Sequence, residues 1–123
     1  MAKSDPVFNT WIAATLNNLG NLFGNMSKPD EAKNSFERGL EMYEALLEGD
    51  PGNVVYQSDV AMTLNNIGTL LSKMGKTDEA KNSFERALKM RDALLEGDRK
   101  NVVYQSNIAA TLNNLGNIFS NMG

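Results

Sequence analysis

The sequence predicts an all-α solenoid of stacked helix-turn-helix units. Three observations carry that expectation. The chain repeats itself: LLEGDPGNVVYQSDVAMTLNNIG (Leu46–Gly68) returns as LLEGDRKNVVYQSNIAATLNNLG (Leu94–Gly116), and Glu31–Leu40 returns as Glu79–Leu88, both at an offset of 48 residues. Apolar residues within each unit recur at helical rather than strand spacing. Cap and turn residues punctuate these stripes at intervals of about 20 residues, the length of an ordinary long helix. The expected organisation is a single domain over residues 1–123: one unit at about 4–51, a second at about 52–99 and a half unit at 100–123. The helices run in the order A, B, A, B, A.

The first A helix holds Leu16, Leu19 and Phe23 around the hexamer TLNNLG at Thr15–Gly20. The first B helix opens at Pro29, where proline is tolerated because the first turn has no intrahelical acceptor for its N–H. It carries Ala32 and Phe36 and runs on through Glu44-Ala45-Leu46-Leu47. On the second A helix Val60, Leu64, Ile67, Leu71 and Met74 step by 4, 3, 4 and 3, one stripe of a 3.6-residue period. Gly75 is expected as a left-handed cap, and Thr77 as the cap of the next helix, with Asp78 and Glu79 favoured in its first turn by the helix dipole. That second B helix places Ala80, Phe84, Ala87, Leu88, Arg91, Leu94 and Leu95 on one side and stops at Gly97-Asp98. The third A helix presents Ile108, Leu112, Leu115, Phe119 and Met122 on the face that a following B helix would cover. The methionines, Met62 among them, are expected to fill gaps in the core.

Composition narrows the function classes. A net charge of −3 offers no attraction to phosphate backbones or anionic lipids, so neither nucleic-acid nor membrane partners are expected. Without cysteine there are no disulfides or thiolate sites; without histidine the usual general base and the commonest metal ligand are missing. No cofactor, metal site or catalytic residue is expected, and the chain reads as a non-enzyme. Glu41, Glu44 and Glu48 follow one helical face with cations nearby, as solvated surface charge does. Lys33 with Glu37 and Lys81 with Glu85 are i,i+4 neighbours that would support exposed helices. The N-terminus lacks the basic start and apolar run of a signal peptide, and no stretch reaches the ~18 apolar residues of a membrane span, so a cytoplasmic setting is expected.

The spacing Leu16-x2-Leu19-Gly20-x2-Phe23 followed by Ala32-x3-Phe36 resembles the tetratricopeptide repeat signature. The second unit repeats it as Leu64-x2-Ile67-Gly68-x2-Leu71 and Ala80-x3-Phe84, the half unit as Leu112-x2-Leu115-Gly116-x2-Phe119. The resemblance implies a right-handed solenoid in which Gly20, Gly68 and Gly116, with Ala32 and Ala80, let helices approach while Phe36 and Phe84 fill the space between units. Two features depart from the family pattern. The period is 48 against the usual one of about 34, and Glu44 and Asp92 stand where the family commonly has proline. The long helices and the TLNNLG phrase resemble the kinesin-light-chain-like branch.

In repeats of this family one stripe of helix A lines a concave groove. Here that stripe reads Asn18, Asn21 and Asn25, then Asn66, Thr69 and Lys73, then Asn114, Asn117 and Asn121. The resemblance implies an extended peptide as partner, held by an amide ladder of Asn18, Asn66 and Asn114, with Asn17, Asn65 and Asn113 bordering it. An Asn amide both donates and accepts, so it can pair with peptide backbone. Lys73 apart, the groove lacks the cationic clamp of chaperone-binding relatives. The alternative reading is a self-assembly module, a homodimer above all, joined through Ile108, Leu112, Leu115, Phe119 and Met122 or by helix exchange. Trp11, the one tryptophan, either covers an end of the solenoid or anchors a partner. The near-identity of the units further suggests an excised or engineered piece of a longer array.

Overall fold

The computed structural model describes residues 5–121. These form five α-helices: α1 (Pro6–Asn25), α2 (Pro29–Gly49), α3 (Val54–Lys73), α4 (Thr77–Gly97) and α5 (Val102–Asn121). No strand occurs among the described residues.

The A helices α1, α3 and α5 start on side-chain caps. Asp5 accepts from the Val7 N–H, Asn53 from the N–H groups of Val55 and Tyr56, and Asn101 from that of Tyr104. The B helices α2 and α4 start differently. Thr77 was the expected cap, but it is the first helical residue, in register with Pro29, and the cap position belongs to Lys76, which makes no side-chain capping bond. Because the two units share one backbone path, Thr77 takes the slot that Pro29 requires, and Asp30–Glu31 and Asp78–Glu79 serve the first turns electrostatically. Gly75 does adopt the left-handed conformation, at φ 78°. Ser27, its counterpart in the first unit, is held at φ 60° without glycine's freedom.

Within a unit the A and B helices pack side by side, and each new A helix then seats on the preceding B helix; successive A helices touch only lightly. The glycines explain the first contact. A Cβ on Gly20 would lie 2.5 Å from the Phe36 ring, and one on Gly68 would lie 2.7 Å from that of Phe84. Each phenylalanine thus sits on the glycine of its own unit, and both also join the core that runs on through Ile67, Leu70, Leu71, Leu115 and Ile118. A second cluster gathers Ala13, Tyr43, Val60, Leu64 and Ala87. Burying each aromatic ring in this way stabilises the stack by about 2–3 kcal/mol.

Two ion pairs form among the described residues, neither of them an expected i,i+4 pair. Arg86 on α4 reaches Glu44 on α2 at 3.4 Å, and Arg99 meets Glu96 at 3.2 Å. Met62 also departs from expectation: it is exposed on α3 rather than packed in the core.

Candidate functional site

The stripe that carries Asn18, Asn21 and Asn25 on α1 lies beside the stripe that carries Asn66, Thr69 and Lys73 on α3. Between them runs an open cleft of about 100 Å³, bordered by Asn21, Asn25, Asn66, Thr69 and Lys73, with Phe36 at its floor. Asn18, Asn21, Asn113 and Asn117 are exposed, and no hydrogen bond among the described residues engages their amides.

The first asparagine of each TLNN phrase behaves otherwise. Asn17 is only 3% exposed. Its Nδ2 donates to Thr63 Oγ1 at 2.7 Å, and its Oδ1 accepts from Asn66 Nδ2 at 3.5 Å. One unit on, Asn65 Oδ1 accepts from Thr111 Oγ1 at 3.1 Å and from Asn114 Nδ2 at 3.3 Å. The amides therefore do not stack as Asn18 on Asn66 on Asn114. They interlock as the first Asn of one unit with the threonine and second Asn of the next, which lie three residues apart on the face that the following A helix turns toward it. Asn17 is sealed in a joint rather than set on the rim of a groove. Asn65 is half-buried in the corresponding joint, and Asn113 is exposed, with no hydrogen bond to its amide among the described residues.

Behind each interlock lies a buried polar residue from the preceding B helix. In the first joint it is Tyr43. Burial, and then the Asp59 carboxylate, push its phenol up from the ordinary value, while a hydrogen bond with Asn17 acts the other way. Burial likewise raises the Asp59 carboxyl above the ordinary carboxylate value. In the second joint Arg91 occupies the matching place. Its guanidinium donates to the Asn107 carbonyl at 3.0 Å and to Thr111 Oγ1, and burial lowers its pKa. Thr63 and Thr111, which sequence reasoning passed over, are fully buried at the centres of these joints. Their recurrence in TLNN was the available signal, but a threonine on a helix carries no mark that separates a joint from a surface.

Among the described residues no three His, Cys, Asp or Glu side chains gather where they could hold a metal ion, and no helix is long and apolar enough to cross a membrane.

A sequence model of the tetratricopeptide repeat family matches residues 12–51 and 60–98, the two helix pairs whose joints have just been described. The chain belongs to the tetratricopeptide repeat family.

Two solved tetratricopeptide domains are similar to it. One is the first such domain of Spaghetti (RPAP3) bound to the HSP90 peptide SRMEEVD, at 18% identity, TM-score 0.25, covering 87% of this chain and 95% of that one. The other is the first such domain of human RPAP3, at 17% identity and TM-score 0.25, covering 90% and 98%. No curated protein matches the sequence.

The repeats leave apolar surface bare at both ends of the stack. Trp11 is 66% exposed on α1, in company with Phe8, Leu22 and Met26. On α5 Leu112 and Phe119 are exposed and Ile108 is half-buried. Leu115 departs from expectation: it is buried beside Ile118, turned toward the preceding unit rather than away from it. Met122 lies outside the described residues.

Proposed function

We propose that this tetratricopeptide chain is a non-enzymatic protein-interaction module that takes an extended peptide segment along the A-helix stripe. The observation that carries the reading is the cleft between α1 and α3, where exposed amides border an apolar floor at Phe36. Asn18 and Asn21 offer donors and acceptors to a peptide backbone, Thr69 offers a hydroxyl acceptor while its proton goes to the Asn65 carbonyl, Asn66 is half engaged in the joint, and Lys73 adds a cation at one end. Asn113, Asn114 and Asn117 extend the same stripe onto α5.

The joints change which variants test this. Replacing Asn66 or Asn114 would disturb the stack itself, so the informative variant is Asn21→Ala with Thr69→Ala. Amide-shift mapping by NMR with pools of unstructured peptides should give perturbations clustered on Asn18, Asn21, Asn66 and Thr69 that this double variant abolishes at unchanged helicity. Silence across diverse pools would sink the proposal.

A second reading, homo-oligomerisation, is favoured by the exposed Trp11, Phe8, Leu22 and Met26 on one face of α1. Light scattering on a size-exclusion peak checks it: a monomeric mass at high micromolar concentration excludes it.

A further inference from the structure

Where the end of α2 meets the starts of α1 and α3 lies an open cavity of about 590 Å³. It shares no residue with the cleft between α1 and α3. Met42, Ala45 and Leu46 give it an apolar wall, and the half-buried Tyr56 adds an aromatic ring. The volume falls within the roughly 300–1,000 Å³ of sites for small organic molecules, more than one side chain of a bound peptide would fill.

The electrostatics of this cavity have one sign. Asp50 is the one charged residue lining it. Its Oδ2 accepts from Asn53 Nδ2 at 3.1 Å, and it makes no ion pair among the described residues. Asp50 also ends α2, whose last turn holds no basic residue to offset the negative end of the helix dipole. The carboxylate, the terminal carbonyls and the ring face all favour a cation, and the apolar wall favours one with a hydrocarbon body.

The second joint provides a contrast. Met90, Ala93, Leu94, Gly97, Asp98 and Tyr104 repeat the lining at the 48-residue offset, but Val54 and Gln57 stand where the first joint has Pro6 and Asn9. Gln57 is longer than asparagine by a methylene, and its amide is tied to the Pro51 carbonyl at 2.7 Å. Leu46 is half-buried at the first joint, whereas Leu94 is 5% exposed at the second. The open site thus belongs to the first joint rather than to the repeat as such.

We infer that this cavity binds a small organic cation, an ammonium group carried on an aryl or alkyl body. The body lies on Met42, Ala45 and Leu46, and the ammonium lies between the Asp50 carboxylate and the Tyr56 ring.

The test is an amide-shift titration by NMR of the intact chain with phenethylammonium, and with 2-phenylethanol as a neutral molecule of the same body. Phenethylammonium should give saturable shifts clustered on Asn9, Leu46, Asp50 and Tyr56, with a Kd of about 1 mM, and the alcohol should bind about 5–10-fold more weakly. Ala45→Leu, which sends an isobutyl group into the cavity from an exposed helix position, should weaken binding about 10-fold or more at unchanged helicity. Asp50→Asn should weaken it about 3–5-fold, while Asp98→Asn at the second joint should leave it unchanged. Absence of saturable shifts overturns the proposal, as does binding that Ala45→Leu leaves undiminished. Equal affinity for the alcohol overturns the assignment of a cation. Shifts centred on Tyr104 and lost in Asp98→Asn would overturn the placement of the site at the first joint.

Discussion

The joint between α2 and α3 and the joint between α4 and α5 follow the same backbone path with different polar interiors. In the first, Tyr43 is buried beside Asp59; in the second, Arg91 is buried beside Asn107. Each joint therefore holds an ionisable group beside neutral partners, a half-buried carboxyl at Asp59 in one and a buried guanidinium at Arg91 in the other. This difference reverses the hydrogen bonding around the threonines. Arg91 donates to Thr111, which leaves the Thr111 hydroxyl free to donate to Asn65. Thr63 has no such donor; its hydroxyl turns to the Asp59 carbonyl at 2.9 Å and its lone pair accepts from Asn17. A TLNN phrase thus provides an interlock that works in either polarity, because the amide and the hydroxyl both donate and accept.

The largest break in this comparison should come from the buried anchors. Tyr43→Ala removes a fully enclosed ring and should lower stability by about 3–5 kcal/mol in thermal or urea melts followed by circular dichroism. Arg91→Ala strips two hydrogen bonds and the packing of the side-chain stem, a loss of about 2–3 kcal/mol by the same measurement. Next come the interlocking amides. Asn17→Ala and Asn65→Ala should each cost about 1–3 kcal/mol, whereas Asn113→Ala, with no joint to serve, should stay within about 0.5 kcal/mol of the parent. Equal losses at all three positions would show that the interlock is not what holds the units. At the α1–α2 turn, Ser27→Gly relieves a left-handed residue that the second unit builds with Gly75, and a gain of about 0.5–1 kcal/mol is expected.

The smallest effect separates the joints by pH. Burial raises the Asp59 pKa above its unfolded value of 3.8, so its contribution is most favourable below that pH and is lost as pH rises through the folded pKa. Asp59→Asn should therefore raise the melting temperature at pH 7, and the gain should vanish below about pH 3.8. Asn107 already has this neutral side chain in the second joint, so Asn107→Gln should show no comparable pH dependence.

Much of the fold was legible because it rests on local patterns. Val60, Leu64, Ile67 and Leu71 mark the buried face of α3 by spacing alone, and Gly75 and Gly97-Asp98 mark turns by backbone chemistry. The candidate site was legible as a stripe of polar residues but not in its division of labour. Asn17 and Asn18 are chemically identical neighbours; only the approach of α3 buries one and leaves the other in water. Leu115 and Leu112 divide in the same way between the preceding unit and the open face of α5.

The sequence alone determined five helices, their order and the 48-residue repeat, because each follows from periodicity or from a residue's own conformational range. The tertiary structure decided which amides lock the stack and which joint buries a guanidinium. These outcomes depend on what a neighbouring helix brings to within hydrogen-bonding distance, and no spacing within one helix encodes which of its faces that neighbour will meet.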